Sequence, residues 1–397
     1  VKFAYFVKPH IGGTYTVFTQ LRSGLAAHGI TVEWLSLQRH AQDGYIDWSD
    51  AMAHGAFVPV AASARQQDEA RALEVAIRLR GYDGIFVNVL ADPVETNIVH
   101  YLPNNLLRVM IVHNITPGTY AAASAIRNRV HATACVSDRC RKDLISKYGF
   151  SPSQTFVVPN AVDATAVTGL RRTAQSGKGL RVIALGRIED SSKGVFWLPK
   201  ILAGLPDDVD LTIAGDGPDL PELKQRFSGF GSRVRFLGYV SPEKVLPLMM
   251  EHDAFIMPSR FEGFGITIVE AMATGCVPVV SRISGVTDTI IDHGKNGLLF
   301  QVGDVVEAID FIKRLRDGDV RRQLSAAGQE RALSQFNIEL MAARYADILH
   351  GLQGTQAMQP PALPMEAWAL PSGLRPGLRR LVPRYLKNWL RQQSERL

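Results

Sequence analysis

Two glutamates eight positions apart, Glu262 and Glu270, bracket a glycine-rich turn in the stretch SRFEGFGITIVEAMATG (259–275). Gly263 and Gly265 let the backbone approach a ligand closely, and a helix beginning near Ile266 would present unpaired N–H groups to it. Anionic oxygens sit well at such a helix start, because the free amides and the helix dipole act in the same direction. A carboxylate accepts hydrogen bonds only, which suits the paired hydroxyls of a sugar. A second loop, GRIEDSSKG (186–194), follows the apolar run LRVIAL and carries Arg187 and Lys193. An arginine fork and a lysine point charge are suited to a diphosphate. Taken singly, the first stretch also reads as a glycine-rich turn with two solvated glutamates, and the second as a solvated basic loop.

In the first half, KPHIGGTYTVF (8–18) places Gly12 and Gly13 between an apolar run and a helical pattern, where either a tight turn or a close approach of backbone to ligand would call for them. His113 ends the run RVMIV and begins HNITPGTY. Taken alone, a single histidine there reads as structural. GDGPDL (215–220) resembles the start of a dinucleotide fingerprint, but Leu220 stands in the third glycine position, which weakens a redox reading. Asp208 and Asp210 form a DxD pair of the sort that holds a divalent metal elsewhere, yet they lead directly into DLTIAG, where one or both are expected to face solvent.

The elements that must carry these residues alternate. FAYFV (3–7), ITVEWL (30–35), GIFVNV (84–89), RVMIV (108–112) and TACVS (133–137) read as strands separated by helical patterns. A second series follows with LRVIALG (180–186), DLTIAG (210–215), VRFLG (234–238), DAFIMP (253–258), CVPVVS (276–281) and GLLF (297–300). Strands alternating with helices predict a parallel sheet with crossover connections, here twice. Ligands of such sheets bind outside the carboxyl ends of the strands, where all of the loops above fall. Pro159 to Gly179 lacks a strong period and reads as a linker, with the hinge at 160–169.

A chain of 397 residues suits two domains at about 100 to 200 residues each. The expected division is 1–165, joined by a helix at 337–351, and 166–336, followed by a loose Pro-containing connection and a basic tail at 352–397. Hydrophobic residues are 46% and charged residues 21%, an ordinary globular mix. The formal net charge of +6 belongs to the tail, since seven Lys and Arg but only Glu366 and Glu395 lie beyond Leu352. A near-neutral body argues against a nucleic-acid partner. Three cysteines, Cys135, Cys140 and Cys276, form neither a disulfide framework nor a CxxC pair, which fits a reducing cytoplasm. No apolar run reaches the roughly 18 residues that span a bilayer, and the start reads as a strand rather than a signal peptide. In the tail, Leu374, Leu378, Leu381, Val382, Tyr385, Leu386, Trp389 and Leu390 follow a helical period, with arginines and Lys387 between them. Pro376 and Pro383 divide this stretch into two short helices. Such a basic amphipathic pattern, within 372–397, predicts peripheral contact with an anionic membrane at its inner face, or packing on the first domain.

GRIEDSSKG, IAGDGP (213–218), RFLGYVS (235–241), the two glutamates of EGFGITIVEAMATG, and VPNAVD (158–163) together resemble successive landmarks of glycosyltransferase family 4, the retaining GT-B enzymes. The resemblance is specific from about Val158 to Gly351. It implies an α/β fold of two Rossmann-like doubly wound domains facing a cleft, and transfer of a hexose from a nucleotide-sugar donor, UDP- or GDP-linked, to a hydroxyl acceptor. The acceptor class it suggests is a lipid-linked or growing surface glycan. By the same resemblance Arg187 and Lys193 hold the donor diphosphate. Glu262, with the backbone at Gly263, Phe264 and Gly265, contacts the donor sugar, Glu270 the ribose hydroxyls, and Tyr239 and Val240 the base. Gly12 and Gly13 lie beside phosphate and acceptor, and His113 matches the active-site histidine near the sugar 6-hydroxyl. Neither cofactor nor metal is expected, because Arg187, Lys193 and a helix N-terminus supply the positive charge a departing diphosphate needs. A GT-B-fold epimerase acting on the nucleotide sugar, or a non-catalytic sugar-nucleotide-binding subunit, are the alternatives.

Overall fold

A computed structural model of the chain describes residues 1–10, 12–40, 49–89, 92–169, 179–352 and 360–375, with Trp389, Gln392 and Glu395. The chain divides into two compact units: Val1–Asn160 with Ile338–Arg380, and Ala161–Asn337 with Leu381–Leu397. Each is built on one parallel sheet.

In unit 1 the strands are β1 (Lys2–Phe6), β2 (Thr31–Gln38), β3 (Gly55–Pro59), β4 (Gly84–Asn88), β5 (Leu107–Val112), β6 (Ala132–Cys135) and β7 (Thr155–Val157), in the order β3-β2-β1-β4-β5-β6-β7. Their apolar runs are nearly continuous rather than alternating because helices cover both faces; Phe3, Tyr5, Phe6, Ile85, Phe86 and Val87 are all fully buried. The chain runs outward from β1 through β2 to β3, then returns to place β4 on the other side of β1, with Phe3 opposite Gly84. That reversal is the switch point at which loops diverge and leave room for a ligand.

Unit 2 repeats the plan with β8 (Leu180–Leu185), β9 (Val209–Ala214), β10 (Val234–Gly238), β11 (Ala254–Met257), β12 (Val277–Arg282) and β13 (Leu298–Gln301), ordered β10-β9-β8-β11-β12-β13. Here the reversal lies between β8 and β11, where Ala254 stands opposite Val182. Its core gathers Val182, Ile213, Val277, Val279, Leu298 and Phe300 under the flanking helices.

Strands β3 and β7 add to the set read from the sequence; both are outermost in their sheet and short. The helix Ile338–Leu352 belongs to unit 1 and packs on the helix Gly13–Ala26, where Gly24 leaves room for Ala342 and Ile338.

The expectation of a loose connection after Leu352 is corrected for residues 360–375, which are strapped to unit 1. Leu363 N–H donates to the His100 carbonyl (2.8 Å), Gln67 Nε2 to the Met365 carbonyl (2.8 Å) and Asn97 Nδ2 to the Ala369 carbonyl (3.1 Å). Tyr101 Oη donates to the Ala367 carbonyl and accepts from Ala369 N–H, and its ring lies 4.7 Å from that of Trp368. Side chains of unit 1 thus satisfy a backbone that has no ladder of its own. Leu374, expected to begin the tail's apolar stripe, is buried in the core of unit 1. The rest of that stripe lies outside the described residues, apart from Trp389, which is exposed. No helix among the described residues is long and apolar enough to cross a membrane.

Candidate donor site and family

Two loops of unit 2 meet at its switch point. The first leaves β8 at Gly186 and ends in the short helix Asp190–Lys193; the second leaves β11 and enters the helix Ile266–Ala273. Gly265, at φ +93°, makes that entry, and a Cβ there would stand 2.8 Å from Ile268 Cδ1. No side chain caps the helix; Ile268 N–H donates to the Gly265 carbonyl (2.9 Å), and the amides of Ile266 and Thr267 ahead of it stay available to an anion. Phe264 is buried with its ring 5.9 Å from that of Phe336, which pins the turn formed by Gly263, Phe264 and Gly265.

Lys193 and Glu262 are brought together as an ion pair between Lys193 Nζ and Glu262 Oε1. Ser259 Oγ donates to the same carboxylate oxygen at 2.9 Å. Arg187 is exposed, and its guanidinium has no partner among the described residues. Glu270 stands on the helix Ile266–Ala273 with a carboxylate that finds no hydrogen bond among the described residues, and burial pushes its pKa up to about 7. Tyr239 and Val240 follow β10, two strands from β8, with Tyr239 exposed.

The glycines of GDGP have a structural task. Ile188 N–H donates to the Asp216 carbonyl (2.9 Å) and Asp219 N–H to the Ile188 carbonyl (3.1 Å), so the loop after β9 runs against the loop after β8. A Cβ on Gly215 or Gly217 would strike the carbonyls of Gly186 or Ile188. Asp208 and Asp210 are exposed, and Asp208 Oδ2 accepts from Arg316 Nη2 at 2.8 Å.

In unit 1 Gly12 and Gly13 follow β1 at the uncapped start of the helix Gly13–Ala26. His113 follows β5, and its Nε2 lies 2.8 Å from Asn88 Oδ1 at the end of β4. Asn88 Nδ2 donates to the Phe6 carbonyl (2.8 Å), which leaves its Oδ1 facing the ring. Nε2–H is therefore the donor and Nδ1 is left as an acceptor. Burial pushes the pKa of His113 down to about 4, so the ring is neutral near pH 7. Asn88 escaped the sequence reading, although a polar residue closing the apolar strand GIFVN was a signal. Ser259, Arg260 and Asp190 escaped it as well.

Comparison with known proteins places this architecture. The model described as Glycosyl transferases group 1 matches residues 179–317, and that described as Glycosyltransferase Family 4 matches residues 11–166. The chain is 30% identical over 214 residues to phosphatidyl-myo-inositol mannosyltransferase of Mycobacterium leprae, covering 53% of this chain and 56% of that protein. It is 30% identical over 235 residues to the GDP-mannose-dependent alpha-(1-6)-phosphatidylinositol monomannoside mannosyltransferase of Mycobacterium tuberculosis, covering 54% and 60%. The chain thus spans about half the length of these curated relatives. Among solved structures, Anabaena HepE in complex with UDP-glucose superposes with a TM-score of 0.74 at 19% identity, covering 88% of this chain and 100% of that one. Sucrose-phosphate synthase from Thermosynechococcus elongatus gives 0.73 at 19%, covering 89% and 99%. These likenesses establish the fold as GT-B, and with both halves matched by glycosyltransferase models, the chain belongs to glycosyltransferase family 4.

Proposed function

We propose that the chain is a retaining, hexosyltransferase-type glycosyltransferase that moves a sugar from a UDP- or GDP-sugar to a hydroxyl acceptor, lipid-linked or on a growing surface glycan. The observation that carries this reading is the cluster at one sheet end of unit 2: the exposed Arg187 guanidinium and the Glu270 carboxylate, neither with a partner among the described residues, beside the Lys193–Glu262 pair. A carboxylate held away from water without a partner, as Glu270 is, is costly to keep without a ligand, and the exposed Arg187 is open to an anion.

Arg187 and Lys193 take the diphosphate, joined by the first amides of the helix Ile266–Ala273. Glu270 accepts from the ribose hydroxyls, and Tyr239 and Val240 border the base. Glu262, beside the turn of Gly263, Phe264 and Gly265, orients the transferring sugar. In unit 1, Gly12 and Gly13 serve phosphate and acceptor, and neutral His113 accepts at Nδ1 from the sugar's 6-hydroxyl. As the bond from the anomeric carbon to the diphosphate breaks, negative charge builds on the leaving phosphate. Preorganised donors stabilise that charge without reorganising. The leaving oxygen takes the acceptor proton on the face it vacates, so configuration is retained and no covalent nucleophile is needed. Lys193 and Arg187 supply positive charge directly, and activity is expected to survive chelation.

The mannosyltransferases named above take their names from phosphatidylinositol-based substrates. A lipid-linked acceptor suits a chain whose tail carries basic and apolar residues at helical spacing, and we place the protein at the inner face of the cytoplasmic membrane through the part of 372–397 that follows the Leu374 anchor in unit 1. The test is a thermal-shift screen of UDP-, GDP- and ADP-sugars followed by a hydrolysis assay. A donor that binds only the folded state raises the melting temperature. Slow release of free sugar without acceptor, undiminished by a chelator, supports transfer; tight binding with no turnover on any acceptor, or no stabilisation by any donor, refutes it.

A further inference from the structure

Arg260 is nearly as buried as the hydrophobic core, yet it lies two residues from Glu262. Its Nε donates to the Asp190 carbonyl (2.8 Å) and its Nη2 to Asp190 Oδ2 (2.9 Å), while its backbone N–H donates to the Ser192 carbonyl (2.8 Å). The guanidinium carbon lies over the Trp197 ring, 3.9 Å from its centroid. Asp190 is held in turn: its Oδ1 accepts from Phe196 N–H (3.0 Å), and its own N–H donates to Asp219 Oδ2 (2.7 Å). These contacts bind the whole of the short helix Asp190–Lys193 to the segment after β11, between a stacked ring and a paired carboxylate.

A four-residue helix does not hold its own shape, since one turn of hydrogen bonds does not offset the cost of ordering it. Its last residue is Lys193, whose ammonium meets Glu262. We propose that Arg260 is a positioning residue for the donor diphosphate: it touches no substrate and fixes where Lys193 presents its charge. The inference rests on the functional reading above. Only arginine meets both demands of the position, because the planar fork stacks on Trp197 while two of its nitrogens bond Asp190; a lysine keeps the charge and loses the geometry.

The test measures binding of UDP and GDP, and of uridine and guanosine, by calorimetry to the full chain and to Arg260→Lys, Arg260→Met, Lys193→Ala and the Arg260→Met/Lys193→Ala double variant. Arg260→Lys guards against loss of fold, since it keeps a cation over Trp197. Expected is a loss of diphosphate affinity of about tenfold or more in both Arg260 variants, the scale of one misplaced charge-assisted hydrogen bond, with nucleoside affinity unchanged. In the Lys193→Ala background, removing Arg260 should add nothing further, because the residue through which it acts is already gone. An equal further loss there, an equal loss for the nucleosides, or wild-type affinity in both Arg260 variants would overturn the assignment while leaving the donor-site reading standing. A wild-type chain that binds neither UDP nor GDP would instead overturn that reading, and the role of Arg260 with it.

Discussion

Replacing Lys193 by methionine should lower both stability and diphosphate affinity, by amounts that a second substitution can separate. Glu262 is about one-tenth exposed and Lys193 about one-third. Removing one partner of a fully buried pair costs about 3–5 kcal/mol. Water reaches the lysine side here, and screening brings the expected cost down to about 1–2 kcal/mol. For a unit of this size that lowers the melting temperature by roughly 2–8 °C. Ser259 Oγ still donates to Glu262 and limits the damage. The double variant Lys193→Met/Glu262→Gln leaves no lone charge and should recover most of the lost stability. It should not recover affinity: with Lys193 gone, UDP or GDP binding should fall about 10- to 100-fold in both variants, the range of a charge-assisted hydrogen bond. Scanning calorimetry and titration calorimetry on the same samples give the two quantities. Unchanged diphosphate affinity in Lys193→Met, or affinity restored by Glu262→Gln, would refute the assignment of Lys193 to the diphosphate.

Glu270 should impose a pH dependence of known sign. An unfolded chain releases its proton near 4.5, the ordinary value of a glutamate, and the folded chain near 7, so the folded form holds the extra proton between these values and stability falls as pH rises through that window. Glu270→Gln should flatten that slope in melting curves taken from pH 4.5 to 7.5. It should also abolish a rise in nucleoside affinity through about pH 7, where the ionised carboxylate becomes the better acceptor for ribose hydroxyls; a rise that persists in the variant removes Glu270 from the ribose. For the tail, the full chain should sediment with anionic vesicles, less so at high salt, whereas a chain ending at Gln353 should stay in solution. Because residues 360–375 are strapped to unit 1, that truncation should also lower the melting temperature of unit 1, and a chain ending at Arg375 should not. Vesicle binding that survives both truncations would clear the tail of any anchoring role.

The interior strands were legible because each is a run of apolar residues buried on both faces, from FAYF in β1 to VPVVS in β12. Of the outermost strands, β10 and β13 of unit 2 were read, whereas β3 and β7 of unit 1 were not. GAFVP carries a glycine and a proline, and TFV is three residues long; each pairs on one side only, so its sequence is under half the constraint. The turn of the candidate site could be read from its glycine spacing, at Gly263 and Gly265. Arg260 could not, because its role depends on Asp190, 70 positions away. Residues 360–375 were misread for a related reason. Their prolines signal a missing period correctly, but the groups that bind them, Tyr101, Asn97 and Gln67, belong to other parts of the chain.

The order of the two units along the chain bears on how the molecule comes off the ribosome. The Ala161–Asn337 part of unit 2 is one continuous stretch, closed by the bridge between Val162 and Asn337. It has its whole sheet as soon as residue 337 has emerged, including the pairing of β8 with β11 across its switch point. Unit 1 must wait. Its first 160 residues supply every strand of the sheet, but the groove beside Gly24 stays open until the helix Ile338–Leu352 arrives, and the Tyr101 edge stays bare until residues 360–375 follow. Contacts spanning nearly the whole chain form late, since closing so long a loop is entropically costly. During synthesis, then, unit 2 is assembled while unit 1 is unfinished and its apolar helix face is exposed. Nascent chains stalled before residue 338 should accordingly present that face to chaperones, and chains released beyond residue 375 should bury it.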